Sequence, residues 1–170
     1  MSIRPLIGEP LPLDLVDTQW REHGVPVDGL AEPGAAEAWL AEHGLDPATA
    51  AAVEPLLQAR RAIRIALEHD RFTDLNAVLE HGRIRTGLDS AGPTETIEID
   101  DPAWLPAWTV ARALVDLVRD APPGRIRHCD GAGCVLWFLD TSRNGRRRWC
   151  SMAGCGNRAK ARAHYSRTSS

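Results

Sequence analysis

Four cysteines, Cys129, Cys134, Cys150 and Cys155, fall in the last quarter of the chain in the pattern C-x4-C-x15-C-x4-C. Two short pairs joined by a longer loop can aim four sulfurs at one point. Each pair closes a turn, and the loop brings the second pair round to complete a tetrahedron. That chemistry is one structural zinc ion in a closed four-thiolate site. Two disulfides are the competing chemistry. They need an oxidising compartment, and the N-terminal sequence carries no charged start followed by an apolar run that would send the chain to one. A cytoplasmic protein with reduced thiols is expected.

The charge around the cysteines is one-sided. Residues 125–170 hold 10 basic and 2 acidic side chains, a formal +8, while residues 1–124 hold 10 basic and 21 acidic, or −11. The net charge of −3 conceals this division. Four thiolates around a divalent ion leave the tail strongly positive, the electrostatic footprint of a nucleic-acid binder. Arginine supplies almost all of it, with Lys160 the single lysine. The residues expected to meet nucleic acid are Arg143, Arg146, Arg147, Arg148, Arg158, Lys160 and Arg162. Basic tails also bind acidic proteins, so that alternative stays open here.

The elements that must position these residues can be read along the chain. Length and composition suit one core of ordinary size plus a small module. No apolar run approaches the roughly 20 residues a bilayer span needs. Residues 11–20 alternate enough for one short buried segment, and Pro26, Gly29, Pro33 and Gly34 break the chain beyond it. Helices are expected over 35–43, from Asp46-Pro47 through residue 70 with a kink or restart at Pro55, and from Thr73 towards Gly82. In the second of these, Val53, Leu56, Leu57, Ile63, Ala66 and Leu67 make an apolar face, leaving Arg60, Arg61 and Arg64 for the other. Residues 83–100 alternate around Gly87, Gly92 and Pro93, which reads as a small β-hairpin. A helix from 100–102 to about 120 carries Trp104, Trp108, Ala111, Val115 and Val118 as one stripe. Core is the better reading of that tryptophan pair than a ligand-stacking cage. Ala121-Pro122-Pro123-Gly124 marks a boundary between a domain over 1–121 and a module over 122–170.

Within the module, 135–140 reads as a strand, 141–145 as its turn with the Asn144-Gly145 hairpin signal, and 146–149 as the return strand. A short basic helix is expected from 157 to about 166. Trp137, Phe138 and Trp149 are expected to make the miniature core, with base stacking as the competing role. His128 is expected exposed or beside the metal, and His164 lies too far past Cys155 to be a ligand of choice. The fold class is therefore a mainly α N-terminal domain with a small β-hairpin, joined to a four-cysteine zinc finger of β-hairpin and short helix.

These residues resemble the CGNR zinc-finger family. The resemblance is carried by Cys129-x4-Cys134, Trp137-Phe138-x-Asp140-x-Ser142-Arg143, the run from Arg147 to Met152, and Cys155-Gly156-Asn157-Arg158 with Lys160. Leu13-Asp14-Leu15-Val16-Asp17-Thr18 is similar to the L-D-x-x-N-T opening of the ABATE domain, with Asp17 in place of Asn. The resemblance implies a bacterial transcription regulator: an N-terminal domain sensing stress or a small ligand, and a finger with zinc on Cys129, Cys134, Cys150 and Cys155. DNA is the expected partner, with an RNA-binding module or a non-catalytic adaptor as alternatives. A +8 module is small for tight site recognition, which makes a homodimer or a second contact surface an expectation. No catalytic residues are expected, since four cysteines leave no open metal position and His23, His43, His69 and His81 lie singly. Glu9, Asp14 and Asp17 are read as a solvated acidic face rather than a pocket lining.

Overall fold

The computed structural model describes residues 4–168, so the ends of the two expected domains at 1–3 and 169–170 lie outside the described residues. The chain divides into two compact units, Met1–Gly29 with Leu117–Ser170, and Leu30–Asp116. Residues 1–29 and 117–121 thus group with the cysteine module.

The first unit opens with helix α1 (Leu11–Val16), then strands β1 (Gln19–Glu22) and β2 (Val25–Asp28). Sequence alternation suggested only one buried segment here. Residues 12–18 are all buried, so an apolar residue at every second position does not distinguish strand from helix. Pro12 occupies the first turn, where its missing N–H costs nothing. Pro26 does not end the structure either. β1 and β2 pair antiparallel around a two-residue turn, Glu22 opposite Val25 and Arg21 opposite Pro26. In such a hairpin the second pair from the turn exchanges no hydrogen bonds, so proline fits. His23 and Gly24 both take positive φ, 51° and 85°, the backbone a tight primed turn requires.

The second unit holds α2 (Ala35–Glu42), α3 (Ala50–His69), α4 (Thr73–Leu79), β3 (Gly82–Asp89) and β4 (Gly92–Ile99). A single 3-10 turn over Pro102–Trp104, capped by the Asp101 carboxylate on the Ala103 N–H, leads into α5 (Leu105–Asp120), which runs on into the first unit. Four expectations from the sequence differ from the structure. α3 begins at Ala50 after Thr49, not at Asp46-Pro47, and runs unbroken through Pro55, which is itself buried. Arg60 is buried rather than solvated, while Arg61 reaches Glu54 and Arg64 reaches Glu68 at 2.9 and 3.1 Å. The buried stripe of α5 is Ala107, Trp108, Val110, Ala111 and Leu114, whereas Val115 and Val118 are 39% and 59% exposed.

The hairpin expected over 83–100 is present, with eight-residue arms in register from Gly82 opposite Ile99 to Asp89 opposite Gly92. The Asp89 carboxylate closes its turn by accepting from the Ala91 N–H at 2.7 Å. Trp108 is 4% exposed, and its indole N–H donates to the Leu79 carbonyl at 3.1 Å. A Cβ at Gly82 would stand 2.8 Å from that ring, so the hairpin reaches the tryptophan only because residue 82 has no side chain. Trp104 is half-buried and stacks on His81 with centroids 3.5 Å apart.

The chain finishes in the first unit with β5 (Ile126–His128), β6 (Trp137–Leu139), a wide helical turn at Met152–Gly156 and α6 (Asn157–Thr168). No helix among the described residues is long and apolar enough to cross a membrane.

Trp108 and Trp39 are the two tryptophans buried in the second unit, each 4% exposed. Trp108→Ala is expected to lower the stability of that unit by about 3–5 kcal/mol, read from denaturant unfolding monitored by helix content. Unchanged stability would remove the ring from the core.

Candidate metal centre and nucleic-acid interface

The finger is built on a strand pair that the sequence reading placed differently. β6 pairs with β5, with Ile126 opposite Leu139 and His128 opposite Trp137. The return strand expected at 146–149 is not a strand. That segment runs extended beside the first knuckle, the Asp130 N–H donating to the Arg148 carbonyl at 2.9 Å. Asn144-Gly145 does turn the chain, with Gly145 at φ 61°. It turns into a loop whose carbonyls are taken by arginines instead of a partner strand. Arg125 donates to the carbonyls of Asp140 and Ser142 at 2.9 and 2.6 Å, and Arg127 to that of Arg147 at 3.0 Å.

The two knuckles bring the four cysteines together. Their Sγ atoms all lie within 4.8 Å of one another, with Cys134 to Cys150 at 3.9 Å and Cys150 to Cys155 at 3.6 Å. Sulfurs about 2.3 Å from a tetrahedral zinc stand about 3.8 Å apart, so the cluster has the size the ion needs. Cys129, Cys150 and Cys155 are buried and Cys134 is half-buried. Donors are already aimed at the sulfurs. Cys129 accepts from the N–H groups of Gly131 at 3.4 Å and Cys150 at 3.2 Å, and Cys155 accepts from the Arg158 guanidinium at 2.9 Å. Such donors hold thiolates in place and offset part of their charge. Gly131 is required by contact: a Cβ there would lie 2.6 Å from the Cys155 sulfur.

Four thiols packed this closely cannot all ionise alone. Hydrogen bonds from Cys134 and Cys150 pull the Cys129 thiol far down from its ordinary range. The neighbouring thiols move the other way. Donation to Cys129 pushes Cys134 up to about 12, and donation to Cys129 and Cys134 pushes Cys150 up as well. A divalent cation among the sulfurs reverses that repulsion. The donor set, its spacing and its burial thus fit one zinc ion held by Cys129, Cys134, Cys150 and Cys155. Zinc bound there would cross-link the two knuckles through these four thiolates.

The cluster is the floor of a small core with Trp20, Leu136 and Phe138, against which Leu6, Val27 and Trp149 pack. Trp20 is the residue sequence reasoning did not place here. Phe138 and Trp137 are buried and Trp149 half-buried, in line with a miniature core. His128 is exposed with its edge towards Trp137, and His164 is exposed and outside the sulfur cluster.

The acidic N-terminal residues are also part of this module. Expected on a solvated face, Asp14 and Asp17 are 4% and 0% exposed. Asp17 Oδ1 accepts from the Trp137 N–H at 2.9 Å, and Glu9 Oε2 accepts from the Leu139 N–H at 2.9 Å. These are alternate N–H groups of β6 on the edge that β5 does not use. Two carboxylates from the start of the chain therefore cap the open edge of the finger's sheet. Asp14 is held by Arg4 at 2.9 Å. An Asn at position 17 would present the same Oδ1 acceptor, which accounts for an L-D-x-x-N-T pattern being satisfied by Asp.

The seven expected nucleic-acid residues separate by environment. Arg143, Arg146, Lys160 and Arg162 are exposed and meet no protein partner among the described residues. Arg148 is exposed, lies over the Trp149 ring and pairs with Asp130 at 2.8 Å. Arg158 is exposed along its length but ends on the Cys155 sulfur. Arg147 turns inward: it lies 4.2 Å over Phe138, donates to the carbonyls of Trp149 and Cys150, and approaches Glu9 at 3.5 Å. Its own N–H donates to Asp140 at 3.0 Å. Asp140 is buried, and hydrogen bonds from the Ser142 hydroxyl, then the Ser142 and Arg147 N–H groups, hold its carboxyl below the usual range. The stability from this lock is present at neutral pH and is lost as pH falls through that depressed value.

Compared with known proteins, residues 125–168 match the family model for the CGNR zinc finger. Residues 9–121 match the ABATE model, whose description reads "Putative stress-induced transcription regulator". Among curated proteins there is no match.

Three outcomes are expected. Protein purified under reducing conditions should hold about one zinc per chain, lost in Cys150→Ser. Zinc affinity should fall as pH falls, since Cys134 and Cys150 must release protons to bind it; a metal titration at several pH values reads this. Asp17→Ala strands the buried Trp137 N–H and should cost about 1–3 kcal/mol, whereas Asp17→Asn should cost much less, as read from unfolding of the zinc-loaded chain.

Proposed function

The chain belongs to the ABATE family and carries a CGNR zinc finger, and from this we propose that it is a transcription regulator. In this reading it works in the cytoplasm, holds duplex DNA through the finger, and responds to stress or a small ligand through its N-terminal region. The observation that carries the DNA assignment is the sorting of the finger's cations. Arg125, Arg127 and Arg147 are spent on carbonyls inside the module. Arg143, Arg146, Lys160 and Arg162 point outward without partners among the described residues. Free guanidinium and ammonium groups on a rigid metal-stapled module are what phosphate contact requires.

The role is non-catalytic in this proposal, because four thiolates close the coordination sphere of the zinc. Four free cations hold a duplex weakly, so the regulator would act as a homodimer with two fingers on one site.

Binding of the zinc-loaded full-length chain to mixed-sequence duplex should show log affinity falling with log salt at a slope of about −3.6, the value for four phosphate contacts. Absence of binding at low salt would overturn the reading. A clear preference for single strands would move it to the RNA class.

A further inference from the structure

We propose that the cleft between β5 and the 146–148 segment is a phosphate-binding seat, with His128 and Arg146 as its direct ligands and the DNA backbone as its occupant. This deepens the DNA reading above and rests on it. The cleft has a volume of about 620 Å³, and Arg127, His128, Asp130, Arg146, Arg147 and Arg148 line most of it. Neither Arg127 nor His128 is among the residues expected from the sequence to meet nucleic acid, because no local pattern in residues 125–128 shows that they form a strand. Pairing of β5 with β6 makes them one wall, and the hydrogen bond from Asp130 to Arg148 brings the arginine run alongside as the other.

The lining selects the occupant. Four arginines and one histidine line it against one acidic residue, Asp130, whose carboxylate already pairs with Arg148 at 2.8 Å, while the Arg147 guanidinium is itself turned to Phe138. The buried Asp140 balances Arg127 from behind at 3.6 Å. The excess charge is positive, and the cleft has no aromatic face other than the His128 ring. A base has only the His128 ring to stack on here, while a phosphate finds forked donors and a cation-lined hollow. A second hollow, of about 410 Å³, shares Arg146, Arg147 and Arg148 and adds the apolar surfaces of Trp149 and Met152. Arg127 and Arg147 are fixed by carbonyls of their own module, so they set the wall. Arg146 has no protein partner and His128 no polar one among the described residues, so these two can turn to a ligand.

The test compares two double variants of the zinc-loaded full-length chain. His128→Ala with Arg146→Ala should weaken duplex binding by about tenfold, the loss of one charged hydrogen bond or more. It should also flatten the salt slope by about 1 for the arginine removed. Lys160→Ala with Arg162→Ala on α6 should flatten the slope while weakening binding less. If the α6 pair abolishes binding and the cleft pair leaves affinity and slope unchanged, the cleft assignment fails and the DNA reading stands. If the wild-type chain binds no duplex at low salt, the DNA reading fails. The seat is then judged by titrating inorganic tripolyphosphate against the His128 ring resonances. Saturable shifts at His128, lost in Arg146→Ala, would support it, and unmoved resonances would overturn it. Tighter binding of poly-aspartate than of tripolyphosphate would also overturn it, assigning the cleft to an acidic protein.

Discussion

Four sulfur atoms within 4.8 Å of one another are a constraint before they are a site. As thiolates they repel; as neutral thiols they are poor hydrogen bonders on a buried floor. A cation removes the conflict, and the rest of the unit is arranged around that solution. The first knuckle needs Gly131 because the Cys155 sulfur occupies the space of a side chain. Trp20, Leu136 and Phe138 cover the cluster. The module has few other apolar residues, so a metal supplies the folding energy that a larger core would otherwise provide.

The same economy explains the arginines. The finger's one strand pair, β5 with β6, leaves the 141–149 loop without a ladder. Arg125, Arg127 and Arg147 occupy its carbonyls instead, and Asp140 receives its N–H groups. On the other edge of β6, Asp17 and Glu9 take the N–H groups that a third strand would have taken. A basic module thus spends part of its charge on its own backbone and borrows acidic caps from the far end of the chain. The outward fraction, Arg143, Arg146, Lys160 and Arg162, is available to a partner.

The cysteine site was legible because its spacing alone specifies geometry. The 83–100 hairpin and the buried Trp108 were legible because alternation and helical steps report burial on one face. Three features were hidden for physical reasons. α1 is buried on every side from Pro12 to Val16, so its pattern carries no period. Pro26 reads as a breaker unless the pairing is known to leave its N–H unused. The carboxylates on β6 join residues 120 and 130 positions apart, and no local pattern encodes such a contact. Arg147 shows the converse limit: within a run of three arginines, charge cannot tell the one that faces Phe138 from those that face solvent.

Residues from the start of the chain and the zinc finger make one folding unit organised by the sulfur cluster. Hydrogen exchange on the full-length chain, with zinc bound and after chelation, tests it most directly. The Gln19–Asp28 hairpin is expected to lose protection together with β5 and β6 when zinc is removed, while α3 keeps its own. Undiminished protection of that hairpin alongside an exchanging finger would contradict it.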